Sequence, residues 1–182
     1  VDDLDAVAET AHARGLKAHM DGARLFNAQV ATGIPVARHA RHFDSVWVDF
    51  SKGLGAPVGA CLAGDRAFID RAWRIEQRLG GAMRQAGFLA AAALYALDHH
   101  VDRLAEDHAN ARRLADGLAS LRGLVLDPSE VETNLVYFDV DAGAARFTAR
   151  GPRANLRLTG TALRSLRGRG AELRFRFDGP VD

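Results

Sequence analysis

The chain reads as an α/β fold on two observations. Apolar residues recur first at helical spacing and then in strand-length runs, with short turns between them. The polar turn clusters Asp21-Gly22-Ala23-Arg24 and Ser51-Lys52-Gly53-Leu54-Gly55 each follow directly on a strand candidate. In open α/β sheets that edge is where ligands bind.

The elements follow in order. Val1, Leu4, Val7, Ala8 and Ala11 lie on one helical face, and Gly15 is placed to end that helix. Leu16 to Met20 and Ser45 to Phe50 are strand candidates, and Pro57 to Ala63 is a third, closed by Gly64-Asp65. Arg66 to Leu79 is a helix broken by Gly80-Gly81, and Arg84 to Leu97 resumes as a helix apolar on nearly every side, hence expected to be buried. From Val101 to Leu121 a long amphipathic stripe is able to link two substructures. Thr133 to Phe138 reads as a further strand.

With 182 residues, 48% hydrophobic and 26% charged, the composition is that of a soluble globular protein with one domain or one core plus a smaller unit. The expected division is a larger part over residues 1–98 and a linking helix with a small domain over 99–182. A net charge of +1 offers no signature of a polyanionic partner, but the charge is uneven. Residues 146–182 hold nine Arg against three acids, which leaves fifteen basic groups against twenty acids before them. This Arg-rich tail shows little apolar periodicity. It reads either as a small α/β domain with a basic face or as a stretch whose sequence has drifted or been read out of frame, in preference to a nucleic-acid arm. The single cysteine, Cys61, forbids an intrachain disulfide and reads as a small core residue. Without a secretory segment or a membrane-length apolar run, a cytoplasmic location and no membrane partner are expected. The absence of an initiator Met, and an opening inside a helix, suggest a fragment.

Only two lysines, Lys17 and Lys52, stand against 22 arginines. Arginine holds its proton too tightly to act as a nucleophile, whereas a lysine amine can lose it and attack a carbonyl. A lysine kept within a glycine-rich turn therefore points to a Schiff-base role, against the alternative of a solvated surface lysine. Asp21 strengthens the reading. A pyridoxal phosphate enzyme needs a carboxylate facing the pyridine nitrogen as well as a lysine, and two neighbouring strands could bring Asp21 and Lys52 to one cleft. Arg24 could reach the ring oxygen or a substrate carboxylate. A DGAR run alone could equally be a helix cap. His39 with His42, and His99 with His100, lack a carboxylate or thiol cluster at metal spacing, so no metal site is expected.

The runs His19-Met20-Asp21-Gly22-Ala23-Arg24-Leu25-Phe26-Asn27-Ala28, Phe50-Ser51-Lys52-Gly53-Leu54-Gly55-Ala56-Pro57-Val58-Gly59 and Gly80-Gly81-Ala82-Met83-Arg84-Gln85-Ala86-Gly87 together resemble the low-specificity L-threonine aldolases. These belong to the β-eliminating lyase group of fold-type-I pyridoxal phosphate enzymes. Thr133-Asn134 is similar to the start of that family's small domain, and the likeness covers about residues 1–140. The resemblance implies the C-terminal part of a large domain with a mostly parallel sheet and flanking helices, followed by a small α/β C-terminal domain. It implies pyridoxal 5'-phosphate as cofactor and cleavage of L-threonine or L-allo-threonine to glycine and acetaldehyde. Lys52 would form the aldimine, Asp21 would face the pyridine nitrogen, and Arg24 would lie by the ring oxygen and substrate carboxylate. Ser51 would touch the phosphate. Arg84 would reach the phosphate of an adjacent subunit within a homotetramer built as a dimer of dimers. Gln77 stands where the family usually has a lysine. The family's carboxylate-gripping arginine has two candidates here, Arg174 and Arg167, and its Thr-His strand is not reproduced. A truncated, non-catalytic paralogue, or another lyase or transaminase on the same scaffold, stays open beside the aldolase.

Overall fold

The computed structural model describes residues 1–140, 146–151 and 154–159, with side chains through residue 139. Helix α1 (Asp2–Ala13) opens the chain, with Asp2, Asp3 and Asp5 in its first turn, where the positive end of the helix dipole favours acids. Strand β1 (His19–Gly22) follows, then α2 (Leu25–Thr32), the short α3 (Val36–His39), β2 (Ser45–Asp49) and β3 (Ala60–Gly64). β1 pairs parallel to β2, and β2 antiparallel to β3, in the order β1-β2-β3. The expectation of a mostly parallel sheet is thus corrected to a mixed three-stranded one among the described strands. Of the strand candidates, Leu16 to Met20 forms its ladder later, at His19–Gly22, and Pro57 to Ala63 at Ala60–Gly64.

Carboxylates tie the first helix to the strand starts and to α3. Asp44 accepts from Lys17 Nζ (2.6 Å), the Ala18 backbone (2.9 Å) and His12 Nε2 (2.8 Å). Asp5 takes both Arg38 guanidinium nitrogens, at 2.9 and 2.6 Å. Both carboxyls are held below their ordinary value, Asp44 chiefly by the Lys17 hydrogen bond and Asp5 chiefly by that of Arg38.

Helix α4 (Arg66–Arg78) starts on Asp65, whose carboxylate accepts from the Phe68 backbone at 2.7 Å. Helix α5 spans Gly87–His99. It begins three residues later than the apolar pattern suggests because Gln85 is left-handed (φ 50°), a conformation that cannot continue a helix. The expectation that α5 is buried does not hold. Ala93 and Ala96 are buried, but Phe88 is 87% and Leu94 60% exposed. A helix apolar on every side needs cover on every side, and the described residues cover one. Cys61, expected in the core, is likewise exposed, on β3 at the edge of the described sheet.

Helix α6 (Leu104–Ala119) completes the run of helices. The chain separates into two compact units, Val1–Asn110 with Glu132–Asn134, and Ala111–Val131 with Leu135–Asp182. The core of the first gathers Leu54, Ala56, Ala96 and Leu104, with Phe26, Val30, Phe50, Leu97 and Val101 packed around them. In the second, Ala111, Ala115 and Val131 pack with Leu126 and Val136. The second also pairs β4 (Leu124–Val125) with β5 (Asp139–Val140), and β6 (Arg146–Gly151) with β7 (Ala154–Thr159). Thr133 to Phe138, expected as a strand, enters no ladder. The ladder forms only just after it, as the two-residue match of Leu124–Val125 to Asp139–Val140, and Tyr137 stands exposed. No helix among the described residues is long and apolar enough to cross a membrane.

Candidate active site

The candidate site is built on one face of the β1–β2 ladder. Register pairs His19 with Ser45, Met20 with Val46, Asp21 with Trp47 and Gly22 with Val48. Side chains alternate across a strand, so His19 and Asp21 share a face with Ser45, Trp47 and Asp49. The hydrogen bond between His19 Nδ1 and Ser45 Oγ (2.8 Å) runs along that face. Lys52 reaches the same face: its Nζ lies 3.1 Å from Asp49 Oδ2 and 5.3 Å from the centre of the Trp47 ring. Two strand ends thus bring an amine and the Asp21 carboxylate to one side of the sheet.

The turn that carries Lys52 is anchored from below. Gly55 N donates to Lys52 O (2.9 Å), Ala56 N to Phe50 O (2.8 Å) and Phe50 N to Gly59 O (3.0 Å). Leu54 and Ala56 point into the core, and His100 Nδ1 donates to the Leu54 carbonyl at 2.6 Å. Gly53 lies so close to Leu104 that a Cβ there would meet Cδ2 at 2.6 Å. Beside it, Asn27 Nδ2 donates to His108 Nε2 at 3.1 Å, and burial lowers the His108 pKa against an opposing pull from Asp107. The turn's inner residues are fixed while Lys52 projects outward.

The other predicted residues are placed as follows. Asp21 is exposed and accepts from Ala23 N (3.1 Å), closing a tight turn and capping no helix. The residue after it must be glycine, since a Cβ at Gly22 would lie 2.5 Å from the Trp47 carbonyl oxygen. Arg24 is exposed at the N-cap of α2. Ser51 gives both its hydroxyl (2.6 Å) and its backbone N–H (2.7 Å) to Asp49 Oδ1. That hydroxyl bond is the main cause holding the Asp49 carboxyl below its ordinary value, against burial. Arg84 is exposed in the turn before α5, and Gln77 lies in the last turn of α4. Arg167 and Arg174 lie outside the described residues.

Sequence reasoning missed Trp47 and Asp49, and it named His100 without its bond to the Leu54 carbonyl. The first two stand five and three residues before Lys52, on alternate positions of one strand, and that spacing is the signal that could have found them. The histidines have structural partners. His39 is buried beside Thr32 Oγ1 (3.3 Å), His42 lies 3.8 Å from Asp5, and His99 stacks on Tyr95. A shallow depression of about 510 Å³ runs along α1 past Ala6, Val7, Ala11 and Leu16. It includes neither Lys52 nor Asp21, whose site is the open sheet face.

Comparison with known proteins agrees along most of the chain. It is 44% identical over 175 residues to low-specificity L-threonine aldolase 1 of Arabidopsis thaliana, covering 96% of this chain and 48% of that protein. It is 46% identical over 127 residues to the low specificity L-threonine aldolase of Escherichia coli K12, covering 70% of this chain and 37% of that one. A solved Listeria monocytogenes structure, described as an L-allo-threonine aldolase, superposes with a TM-score of 0.65 at 29% identity, over 73% of this chain and 37% of that one. The chain therefore spans less than half the length of these relatives. Residues 1–141 match the beta-eliminating lyase family, and the chain belongs to that family.

Proposed function

We propose that this chain carries the lysine-bearing part of a pyridoxal-phosphate-dependent lyase that cleaves L-threonine and L-allo-threonine to glycine and acetaldehyde. The observation that carries the reading is the Lys52 amine on the sheet face shared with Asp21. The donor set fits the cofactor in chemistry. An amine is present for the cofactor's aldehyde, and a carboxylate on the neighbouring strand is present for a ring nitrogen. When bound, pyridoxal phosphate supplies the electron sink that makes carbon–carbon cleavage beside the amino group feasible.

The chain's own residues then have distinct roles. Lys52 supplies the nucleophilic nitrogen from a turn whose base is fixed by Leu54, Ala56 and His100. Asp21 holds a proton on the ring nitrogen. Arg24, three residues on, orients the substrate carboxylate, with Arg174 or Arg167 as its second grip. Ser51 and Arg84 serve the phosphate, Arg84 across a subunit interface in a dimer of dimers. The enzyme is assigned to the cytoplasm. The uncovered face of α5 favours a second reading, in which the 182-residue chain by itself has no catalysis.

The test is borohydride reduction of the chain with pyridoxal phosphate, followed by peptide mapping and by assay of glycine and acetaldehyde from threonine. Label on Lys52 well above Lys17 is expected. Equal labelling of the two, or none, overturns the cofactor assignment for this chain. Selective label without products favours the non-catalytic reading.

A further inference from the structure

The strongest unassigned feature is the carboxylate under the lysine. Asp49 is the last residue of β2, and both hydrogen bonds from Ser51 go to its Oδ1, which leaves Oδ2 directed at Lys52 Nζ. The pair is partly sheltered, with side-chain exposures of 38% for Lys52 and 12% for Asp49. The surface pairs Arg66–Asp70 and Arg103–Glu106 are far more open, so solvent screens them more. Trp47, two residues earlier on the same face, offers its ring to the ammonium. Both contacts hold the nitrogen as an ion-paired ammonium against the sheet face, and an ammonium has no lone pair with which to attack a carbonyl. The other titratable groups around the turn are engaged elsewhere or more remote. His100 is bonded to Leu54 O and His108 to Asn27, while Asp107 faces Gly53 and Asp21 bonds Ala23 N.

We propose that Asp49 is a positioning residue for Lys52: locked by Ser51, its carboxylate holds the amine over the Asp21 face and withholds it from carbonyl compounds until the pair opens. The functional meaning of this rests on Lys52 being the cofactor lysine. The pair itself does not, so it is tested with a reagent that needs no cofactor site.

The 182-residue chain and its D49N, D49S and D49E variants are treated with limiting formaldehyde and cyanoborohydride, and methylation of Lys52 relative to Lys17 is read by peptide mass spectrometry. Far-ultraviolet circular dichroism and Lys17 labelling report the fold. At pH 7 the Lys52-to-Lys17 ratio in D49N is expected to rise about two- to fivefold, the range of a partly exposed ion pair. The excess should fade above about pH 11, where lysine amines lose their proton regardless. D49E should stay near the parent, and D49S gives the same reading as D49N should the amide disturb folding. A ratio unchanged or lowered in a folded D49N or D49S overturns the proposal. So does a rise that persists undiminished at high pH, because that would report packing and not charge. The expected ratios combined with no pyridoxal phosphate label on Lys52 would sink the functional reading and leave the pair standing.

Discussion

Replacing Gly53 by alanine tests how tightly the floor of the lysine turn is packed. A Cβ at Gly53 would approach Leu104 Cδ2 to 2.6 Å, about 1 Å inside an ordinary carbon–carbon contact. Leu104 is 1% exposed and packed among Leu54, Ala56 and Ala96, so its methyl group has little room to retreat. Overpacking of this kind costs about 1–3 kcal/mol. Alanine also restricts the unfolded chain, which returns about 0.4–1 kcal/mol. The net expectation is a loss of about 1–2 kcal/mol, read from urea unfolding of the parent and Gly53→Ala. Leu104→Ala alone should cost about 3 kcal/mol through the cavity it leaves. In that background Gly53→Ala should be neutral or slightly stabilising, because the added methyl enters vacated space. The cycle should therefore show a coupling of about 2 kcal/mol between the two positions. Equal costs of Gly53→Ala in both backgrounds would refute the contact and the anchoring of the turn built on it.

Two further predictions concern pH. Asp44 lies below its ordinary 3.8 in the folded chain, so its stabilising contribution is complete above that value and is lost as pH falls through the folded one. Asp44→Asn should lower the thermal midpoint at pH 7, and its gap to the parent should close below about pH 4; a gap independent of pH would count against the assignment. His108 lies below 6.5 through burial, so what it contributes is present above that pH and is lost on acidification, when protonated Nε2 would face the Asn27 amide donor. Nuclear magnetic resonance titration should place its midpoint under 6.5, and Asn27→Asp should move it upward; no movement would argue against the pairing.

What is legible in the sequence follows from local chemistry. Helix α4 matches its expected range to within a residue because Asp65 caps it and Gly80-Gly81 ends it. Strand β2 matches because a run of Val-Trp-Val between polar ends has few other uses. What fails depends on neighbours. Thr133 to Phe138 alternates well enough for a strand, but a strand exists only beside another, and the register there pairs two residues. Cys61 and Phe88 are apolar and read as core residues, yet burial depends on what lies opposite them. At the site, Lys52 and Asp21 stand out by type and position. Trp47 and Asp49 do not, because within a strand they read as filler until the pleat assigns them to the face that Lys52 overhangs.

Scarcity of lysine is weaker evidence than it looks, and the two lysines show why. Lys17 is as rare as Lys52 and plays a structural part. Its amine, on a side chain 84% exposed, binds Asp44 and so fastens the start of β1 to the residue before β2. Both amines pair with an aspartate, so neither rarity nor an ion pair marks a reactive lysine. Location separates them. Lys17 precedes its strand, on the side where the α1 connection arrives, whereas Lys52 follows its strand on the edge where β1 also carries Asp21, one residue before its end. Around Lys17 the chain places surface charges. Below Lys52 it places Leu54, Ala56 and Leu104, a packed floor that holds the shape of the turn while the amine stands above it beside Asp49. The case for Lys52 as the reactive amine therefore rests on the strand edge, the shared face and the fixed base of the turn.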